Sequence, residues 1–576
     1  MNILGISGQE RDAAAALVRD GSVVAAIEEE KLARIRRIGM NYAGGLPFRA
    51  IEFCLERAGI GFDAIDYVAY YLEPHKRFHR EIAFNSSRAI NAAEHSSIEG
   101  FPPYFVESLN DLKQRSRTRM LIETKLSSGS KFVEVPHHLA HGSSAFFTSG
   151  FECAAVISAD NIGDMTSTAL MIGNGARLDI QAEAQFPNSI GMVYSALTAA
   201  LGFDGDGDWH KTMWLAPTGK PGLKELFEDL LRVDSSGLPV VNFTYIEPRL
   251  RGVPALTDLF FERAGLRKRA RDEPISGKHR DLAASVQSRI EDVLCEIAAR
   301  FRERSGENNL CIAGGVALNS LAASAVERRA GYDRLFVQPA AGNAGCSIGA
   351  AMYVWHQHCG NSERRYQMRH AFLGPQFDDE SIKGVLDNCK IDYEYSLTED
   401  KLIGEVAKLL AQGKIVGWFR GAMEFGPRTL GARSILASPT SELMRENLNT
   451  FIKHREEFRP FCAAVPEEQS ETFFEPSALD EFLQGVSRIK DGKEQLIPAA
   501  VFGDGLVRVH SVSRKSNPSF WKLLSRFGEL SGVPVLLNTS FNLFGEPVVS
   551  TPREAVRGFY CSGIDSLAIG NFLIKK

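Results

Sequence analysis

The sequence predicts an α/β fold: a duplicated N-terminal core followed by a second α/β domain. Three observations carry this. Two segments, one at the start and one near residue 155, each read as a strand, a polar turn carrying an Asp, and a second strand ending in a Gly turn. Short apolar runs then alternate with stretches of helical periodicity, the pattern of a layered α/β architecture. A polar, charged stretch, CGNSERRYQ at 359–367, breaks that alternation and reads as the main linker. The expected domains are residues 1–360 and 361–576.

Taken in order, residues 2–7 form a short apolar strand. Residues 12–18 are apolar and run to Asp20-Gly21, a strong turn signal before 22–27. This is a hairpin followed by a further strand or helix. Residues 154–159 and 168–172 form the second pair, closed by Gly173-Asn174-Gly175. Residues 281–304 carry apolar positions at helical spacing and predict a long helix. Residues 310–313 form a strand running into Gly314-Gly315, 335–337 another strand, and 347–355 another helix. The remaining 205 or so residues are enough for a second α/β domain.

Bulk properties exclude several classes. The chain has 576 residues, 44% hydrophobic and 24% charged, with net charge -5. This is ordinary globular composition, and the sign of the charge argues against a nucleic-acid partner. The first residues have no basic stretch, apolar run and cleavage site, and no run approaches ~18 apolar residues, so neither a signal peptide nor a membrane span is expected. The nine cysteines are scattered without a CxxC pair and read as reduced core residues. A cytoplasmic enzyme is the expectation; a homodimer is compatible with these features.

Five clusters suit chemistry. In Val135-Pro136-His137-His138-Leu139-Ala140-His141, His137 and His141 are i and i+4, so a helix places both rings on one face, able to hold one metal ion. His138 points elsewhere, toward a supporting or substrate role. Asp160, at the end of an apolar strand, suits a metal ligand or a base, or else an Asx turn. The loops Ala313-Gly314-Gly315-Val316-Ala317-Leu318-Asn319 and Pro339-Ala340-Ala341-Gly342-Asn343 each follow a strand and precede a helix, where backbone N–H groups cradle phosphate. Arg428 and Arg433, then Lys453, Arg455 and Arg459, interleave cations with Gly, Pro and aromatics, as an anion pocket does. Asn538, Thr539 and Ser540 follow an apolar strand, as ligand loops do.

Together these clusters resemble the family that includes the nodulation-factor, cephalosporin and tobramycin O-carbamoyltransferases. The resemblance spans nearly the whole chain. Its pieces are Glu28-Glu29-Glu30 before a basic stretch, HHLAH at 137–141, KTMWLAPTGK at 211–220, AGGVALN at 313–319, GPRTLGARSIL at 426–436, KHREEFRPF at 453–461, LNTSFN at 537–542 and Gly545-Glu546-Pro547.

The resemblance implies an ASKHA-type N-terminal domain and a YrdC-like C-terminal domain. The latter makes carbamoyl adenylate from carbamoyl phosphate and ATP; the former passes the carbamoyl group to an acceptor hydroxyl on a small molecule. Arg428, Arg433, Lys453, Arg455 and Arg459 would bind the polyanions, with Arg428 and Arg459 catalytic, and Asn538, Thr539 and Ser540 would surround the adenylate. Lys211, Gly314, Gly315, Asn319 and Asn343 would bind nucleotide in the N-terminal domain. His137, His141 and Asp160 would hold a divalent metal, Fe2+ or Mg2+. Two positions depart from the family pattern. Arg11-Asp12 stands where the family has His-Asp, leaving Asp12 and His138 as the catalytic groups there, Asp12 as a base provided burial raises its pKa. Asn343 replaces a carboxylate, implying weak metal binding. The alternatives are an amine or nucleic-acid acceptor, or a degenerate N-terminal site that only binds nucleotide or supplies carbamoyl adenylate. The C-terminal half, from about residue 365, is expected to form the adenylate by itself.

Overall fold

A computed structural model describes residues 1–89, 103–125, 129–205 and 207–576. The protein is α/β, built on three large sheets, with two further two-stranded ones among the described residues. From edge to edge the first runs Ser22–Glu28, Ala14–Arg19, Asn2–Ser7, Tyr67–Tyr70, Lys131–Glu134. Its first three strands are antiparallel, joined by short turns, and the other two are parallel to Asn2–Ser7. The segment after Asp20-Gly21 is therefore a strand. Asn2–Ser7 and Ala14–Arg19 lack polar alternation because helices and loops bury both faces.

The second sheet repeats this plan: Arg177–Gln185, Thr166–Asn174 and Cys153–Gly163 form the antiparallel meander, and Asn309–Ala313 and Arg334–Val337 add in parallel. The weak internal likeness in the sequence is thus a duplicated topology. Between the sheets, the helices His137–Ser149 and Gly345–Tyr353 pack on each other. The long helix spans Gly277–Ser305, beginning at a capping box on Ser276 and His279.

The third sheet has nine strands in the order Glu394–Tyr395, Phe572–Lys575, Ser566–Ile569, Val416–Phe419, Arg433–Ala437, Leu536–Ser540, Cys462–Pro466, Leu506–Val512, Ser487–Arg488. The helices Glu399–Ala411 and Pro518–Ser531 cover one face, with Leu402, Val406, Phe520 and Phe527 in the shared core. Residues 359–367, read as a linker, instead form a strap on the N-terminal lobe. Arg364 lies 4.4 Å above the Phe146 ring and donates to the carbonyls of Phe146 and Phe151. Among the described residues no helix is long and apolar enough to cross a membrane, and the nine cysteines are unpaired.

Candidate active site

The first candidate centre lies where the His137–Ser149 helix meets the Cys153–Gly163 strand. The register of that strand shifts between Ala159 and Gly163. Asp160 therefore sits in an irregular stretch inside a strand, not at a strand end, and such irregularities re-aim side chains. Asp160 Oδ2 is 3.1 Å from His141 Nε2 and 3.5 Å from His137 Nε2. Gly163 is required here, because a Cβ at that position would collide with the His137 ring. Asp164 accepts the His137 N–H at 3.1 Å, fixing the helix start. This residue sits in the turn between two strands and has no sequence signal.

The electrostatics suit a cation. Burial chiefly holds His141 below the usual imidazole value, against the opposing pull of Asp160. Burial would raise the Asp160 carboxyl, but the two imidazoles outweigh it and hold it well below the usual range. One ligand atom from each of His137, His141 and Asp160 lies within 4.8 Å of the others. Both ring nitrogens of His137 are buried without a hydrogen-bond partner among the described residues. Imidazole nitrogens and a carboxylate gathered this closely, with those of His137 unspent, fit a divalent ion. Asn343 follows Ala341, whose carbonyl acts on the His141 ring, by two residues, and its Oδ1 is likewise buried without a partner.

The glycine loop lies on this centre. Gly314 has φ 91°, a conformation side chains rarely adopt, and any Cβ there would strike the Ala159 carbonyl. A Cβ on Gly315 would lie 2.9 Å from Asp160 Oδ1. Two expected nucleotide ligands are committed elsewhere. Asn319 caps the Ser320–Arg329 helix and exchanges hydrogen bonds with Gln287, which uses its amide. Lys211 points away, pairing with Asp208 at 3.0 Å and with Glu456 of the C-terminal region at 2.8 Å.

The two expected catalytic groups of this domain are also corrected. Asp12 is 29% exposed and both its oxygens accept from Arg37 at 3.0 Å, so the burial its base role required is missing. His138 is buried, with Nδ1 2.7 Å from Ser158 Oγ and Nε2 3.1 Å from the Thr166 carbonyl. Burial first, and then His137 and His141, push its pKa down to about 3. It is a neutral strut with no nitrogen left to exchange a proton. Arg11, in the place of the expected imidazole, lies 5.4 Å over the Trp209 ring.

The second candidate centre is a cation pocket at the junction of the two regions. Arg428 comes from the loop after Val416–Phe419 and reaches the Leu318 carbonyl at 3.4 Å. Lys453, Arg455 and Arg459 come from the turn after residues 448–452, and Arg508 from the Leu506–Val512 strand, 4.9 Å over Trp214. Burial first, then mutual repulsion, holds Arg428, Lys453 and Arg455 well below their usual values. Arg459 is brought down to about 10, burial again leading, against the relief offered by Glu456. Among the described residues, the Nε atoms of Arg428, Arg459 and Arg508 are buried without a hydrogen-bond partner, as is Nη2 of Arg508. Buried, mutually repelling cations with unspent donors are what a bound polyanion would satisfy.

Not every expected member faces this pocket. Arg433 is fully buried, donates to the carbonyls of Arg420, Gly421, Ala432 and Pro375, and lies 3.7 Å over Phe419. Its Nη1 and Nη2 tie backbone together, and its buried Nε has no hydrogen-bond partner among the described residues. Lys453 Nζ is spent on Ser540 and Asn542, including 2.6 Å to Asn542 Oδ1. Arg455 gives Nε to Asn449 Oδ1 at 2.7 Å. Asn538 donates to the Thr429 carbonyl at 3.1 Å and keeps a buried Oδ1 without a partner; Thr539 is half-buried in the same strand. Sequence reasoning missed Arg508, which sits in an ordinary strand, and His210. Burial holds His210 well below the usual value, with the cations Arg459, Arg36, Lys211 and Arg428 adding to the shift. A separate cavity of about 360 Å³, beside Arg334–Val337, contains none of these residues.

Comparisons with known proteins bear on both centres. Residues 2–352 match the family described as Carbamoyltransferase N-terminus, and residues 407–576 the one described as Carbamoyltransferase C-terminus. An uncharacterized protein of Synechocystis sp. is 36% identical over 100% of this chain and 97% of its own length. The nodulation protein NolNO of Sinorhizobium fredii is 34% identical over 98% of this chain and 79% of its own. Among solved structures, HypF of T. kodakarensis aligns with a TM-score of 0.32 at 14% identity, covering 63% of this chain and 48% of that one.

Proposed function

The chain belongs to the carbamoyltransferase family, and from that premise we propose that it is an ATP-dependent O-carbamoyltransferase acting on a small-molecule hydroxyl. Carbamoyl phosphate and ATP react in the junction pocket to give carbamoyl adenylate. Water attacks the phosphorus of carbamoyl phosphate, the bond between that phosphorus and the carbamoyl oxygen breaks, and inorganic phosphate leaves carbamate behind. A carbamate oxygen then bonds the α-phosphorus of ATP as its bond to pyrophosphate breaks. The acceptor hydroxyl oxygen then attacks the carbamoyl carbon at the histidine centre, the bond from that carbon to the AMP oxygen breaks, and the hydroxyl proton leaves with the AMP phosphate.

The single observation that carries this reading is the set of unspent buried donors on Arg428, Arg459 and Arg508. In a pocket shielded from water, such donors stabilise charge developing on phosphoryl oxygens far better than exposed ones. Lys453 holds the Ser540–Asn542 turn beside them, and His210, kept neutral, adds no further charge to the cluster. At the other centre His137, His141 and Asp160 would hold a divalent metal, which when bound supplies Lewis-acid neutralisation of phosphate charge. Two imidazoles suit Fe2+ better than Mg2+, which prefers an all-oxygen shell.

The test incubates the full chain with ATP and carbamoyl phosphate and measures pyrophosphate. Release that requires carbamoyl phosphate is expected. Release that is absent, or equally fast without carbamoyl phosphate, would overturn the adenylation step. With an acceptor present, mass spectrometry should find a product about 43 mass units heavier, the mass of one added carbamoyl group.

A further inference from the structure

The acidic-basic segment that opens the resemblance, Glu28-Glu29-Glu30 and the cations after it, takes no part in either centre as described. Two of its members, Glu28 and Lys31, make contacts almost 400 residues away. Glu28 Oε1 accepts the Gly426 N–H at 2.8 Å. Lys31 Nζ donates to the carbonyls of Glu424 at 2.7 Å and Gly426 at 3.1 Å, and pairs with Glu28 Oε2 at 2.8 Å. The Lys31 and Glu28 side chains are only 3% and 8% exposed. A lysine this buried is retained only where its charge is fully partnered.

What these residues grip is the root of the loop that presents Arg428. The loop is closed around the carboxylate of Glu424, whose Oε1 accepts the N–H groups of Leu430 at 2.7 Å and Ala432 at 2.8 Å. Three residues after Lys31, at the C-cap of the same short helix, the left-handed Arg34 (φ 59°) reaches a second loop. It donates to the carbonyls of Pro547 at 2.8 Å and Val548 at 2.5 Å and pairs with Glu554 at 3.2 Å. That loop is bound to Asn542 through the Glu546 carbonyl at 2.7 Å, and Asn542 holds Lys453. Two arms from one five-residue helix, Glu29–Ala33, thus fix two walls of the cation pocket.

We infer that Lys31 and Arg34 are positioning residues for the adenylate-forming step, so that the N-terminal domain completes the C-terminal site. The inference rests on the adenylation reading above. It also implies that residues from about 365 onward do not suffice, against the expectation from sequence. Removing the Lys31 ammonium leaves Glu28 and two carbonyls buried without their donor, and the loop must relax to reach other partners. A displacement of about 1 Å at a charge-stabilising group costs on the order of 10²-fold in rate.

The experiment uses the full chain as Lys31→Met, Lys31→Arg and Arg34→Ala. Backbone hydrogen exchange over residues 424–433 and 542–548 is measured without substrate, and carbamoyl-phosphate-dependent pyrophosphate release is measured alongside. Lys31→Met should speed exchange in the first loop and Arg34→Ala in the second. Each should lower kcat/KM, Lys31→Met by on the order of 10²-fold, in variants still folded at the assay temperature, and Lys31→Arg should restore most of the loss. Unchanged exchange in both loops, or faster exchange with unchanged kcat/KM, would overturn the inference. If Lys31→Met does not fold, Glu28→Gln, which keeps the acceptor but removes the charge, takes its place under the same criteria. An inactive parent chain would overturn the adenylation reading alone, because exchange decides the clamp without substrate.

Discussion

The histidine centre and the cation pocket are both buried and both charged, yet they are finished to different degrees. In the first, a carboxylate faces imidazole rings: Asp160 sits 3.1 Å from one imidazole and 3.5 Å from another. In the second, Arg428, Arg455, Arg459 and Arg508 crowd together with Glu456 as their main offset. The first centre carries a carboxylate among imidazoles and lacks a small cation; the second is crowded with positive charge and lacks several negative charges. Where a folded chain leaves buried polar atoms unspent, the sign of the missing charge tells what it is built to receive.

The harshest way to break this contrast is His141→Ala. It should abolish carbamoylated product while leaving pyrophosphate release within about twofold of wild type, since the effects of well-separated groups are independent. Loss of both activities in a folded variant would mean that the two centres are not separate. Next comes Arg508→Ala, expected to cut pyrophosphate release on the order of 10²-fold, the cost of removing one preorganised charge-stabilising donor. A variant with wild-type release would place Arg508 among the structural arginines, with Arg433.

A milder change sharpens the first side. Asn343→Asp should tighten divalent-metal binding by roughly tenfold, about 1.4 kcal/mol, by adding a negative charge near the histidines. The wild-type protein should purify with partial metal and gain affinity with nucleotide. Elemental analysis and titration decide; full, tightly held metal in nucleotide-free wild type would contradict the weak-site idea.

The smallest effect concerns a carboxyl with neither metal nor cation. Asp480 is 3% exposed, and its side chain accepts from Ser487 at 3.1 Å; burial raises its pKa to about 8 against that hydrogen bond, with Glu327 adding to the rise. Folded Asp480 thus keeps its proton where the unfolded chain has lost it. Its contribution to stability is complete at acid pH and is lost as pH climbs from about 4 to about 8. Asp480→Asn should remove that slope, so its melting temperature should gain on wild type by roughly 2 °C between pH 5.5 and 8.5. Parallel melting curves across that range would refute it.

What the sequence revealed was local. The His137/His141 spacing, the strand meander and the long helix all follow from periodicity within a few residues, and each is present. What it hid depended on distance. Nothing near Arg433 in the chain marks it as a strut, because the carbonyls it serves come from residues 375 and 420–432. Asn319 looked like a phosphate-loop residue because a cap and a ligand look alike in sequence; Gln287, 32 residues earlier, decides between them. Asp12 failed as a base because Arg37 reaches it. Arg508 left no signal, since a strand of alternating residues gives the same pattern whether an inward cation meets substrate or not.

The Lys31 clamp also has a timetable. Lys31 precedes Glu424 by 393 residues. At ribosomal rates of ~5–20 residues per second, that is roughly 20 to 80 s during which the first sheet waits for its partner loop. An isolated lysine on such a surface would be a hydrated loose end, costly to dry later. Here the partner it needs meanwhile is already in place, three residues back: Glu28, at 2.8 Å. The nascent chain can therefore carry this ion pair as a ready-made neutral unit until the last two hundred residues arrive to cover it.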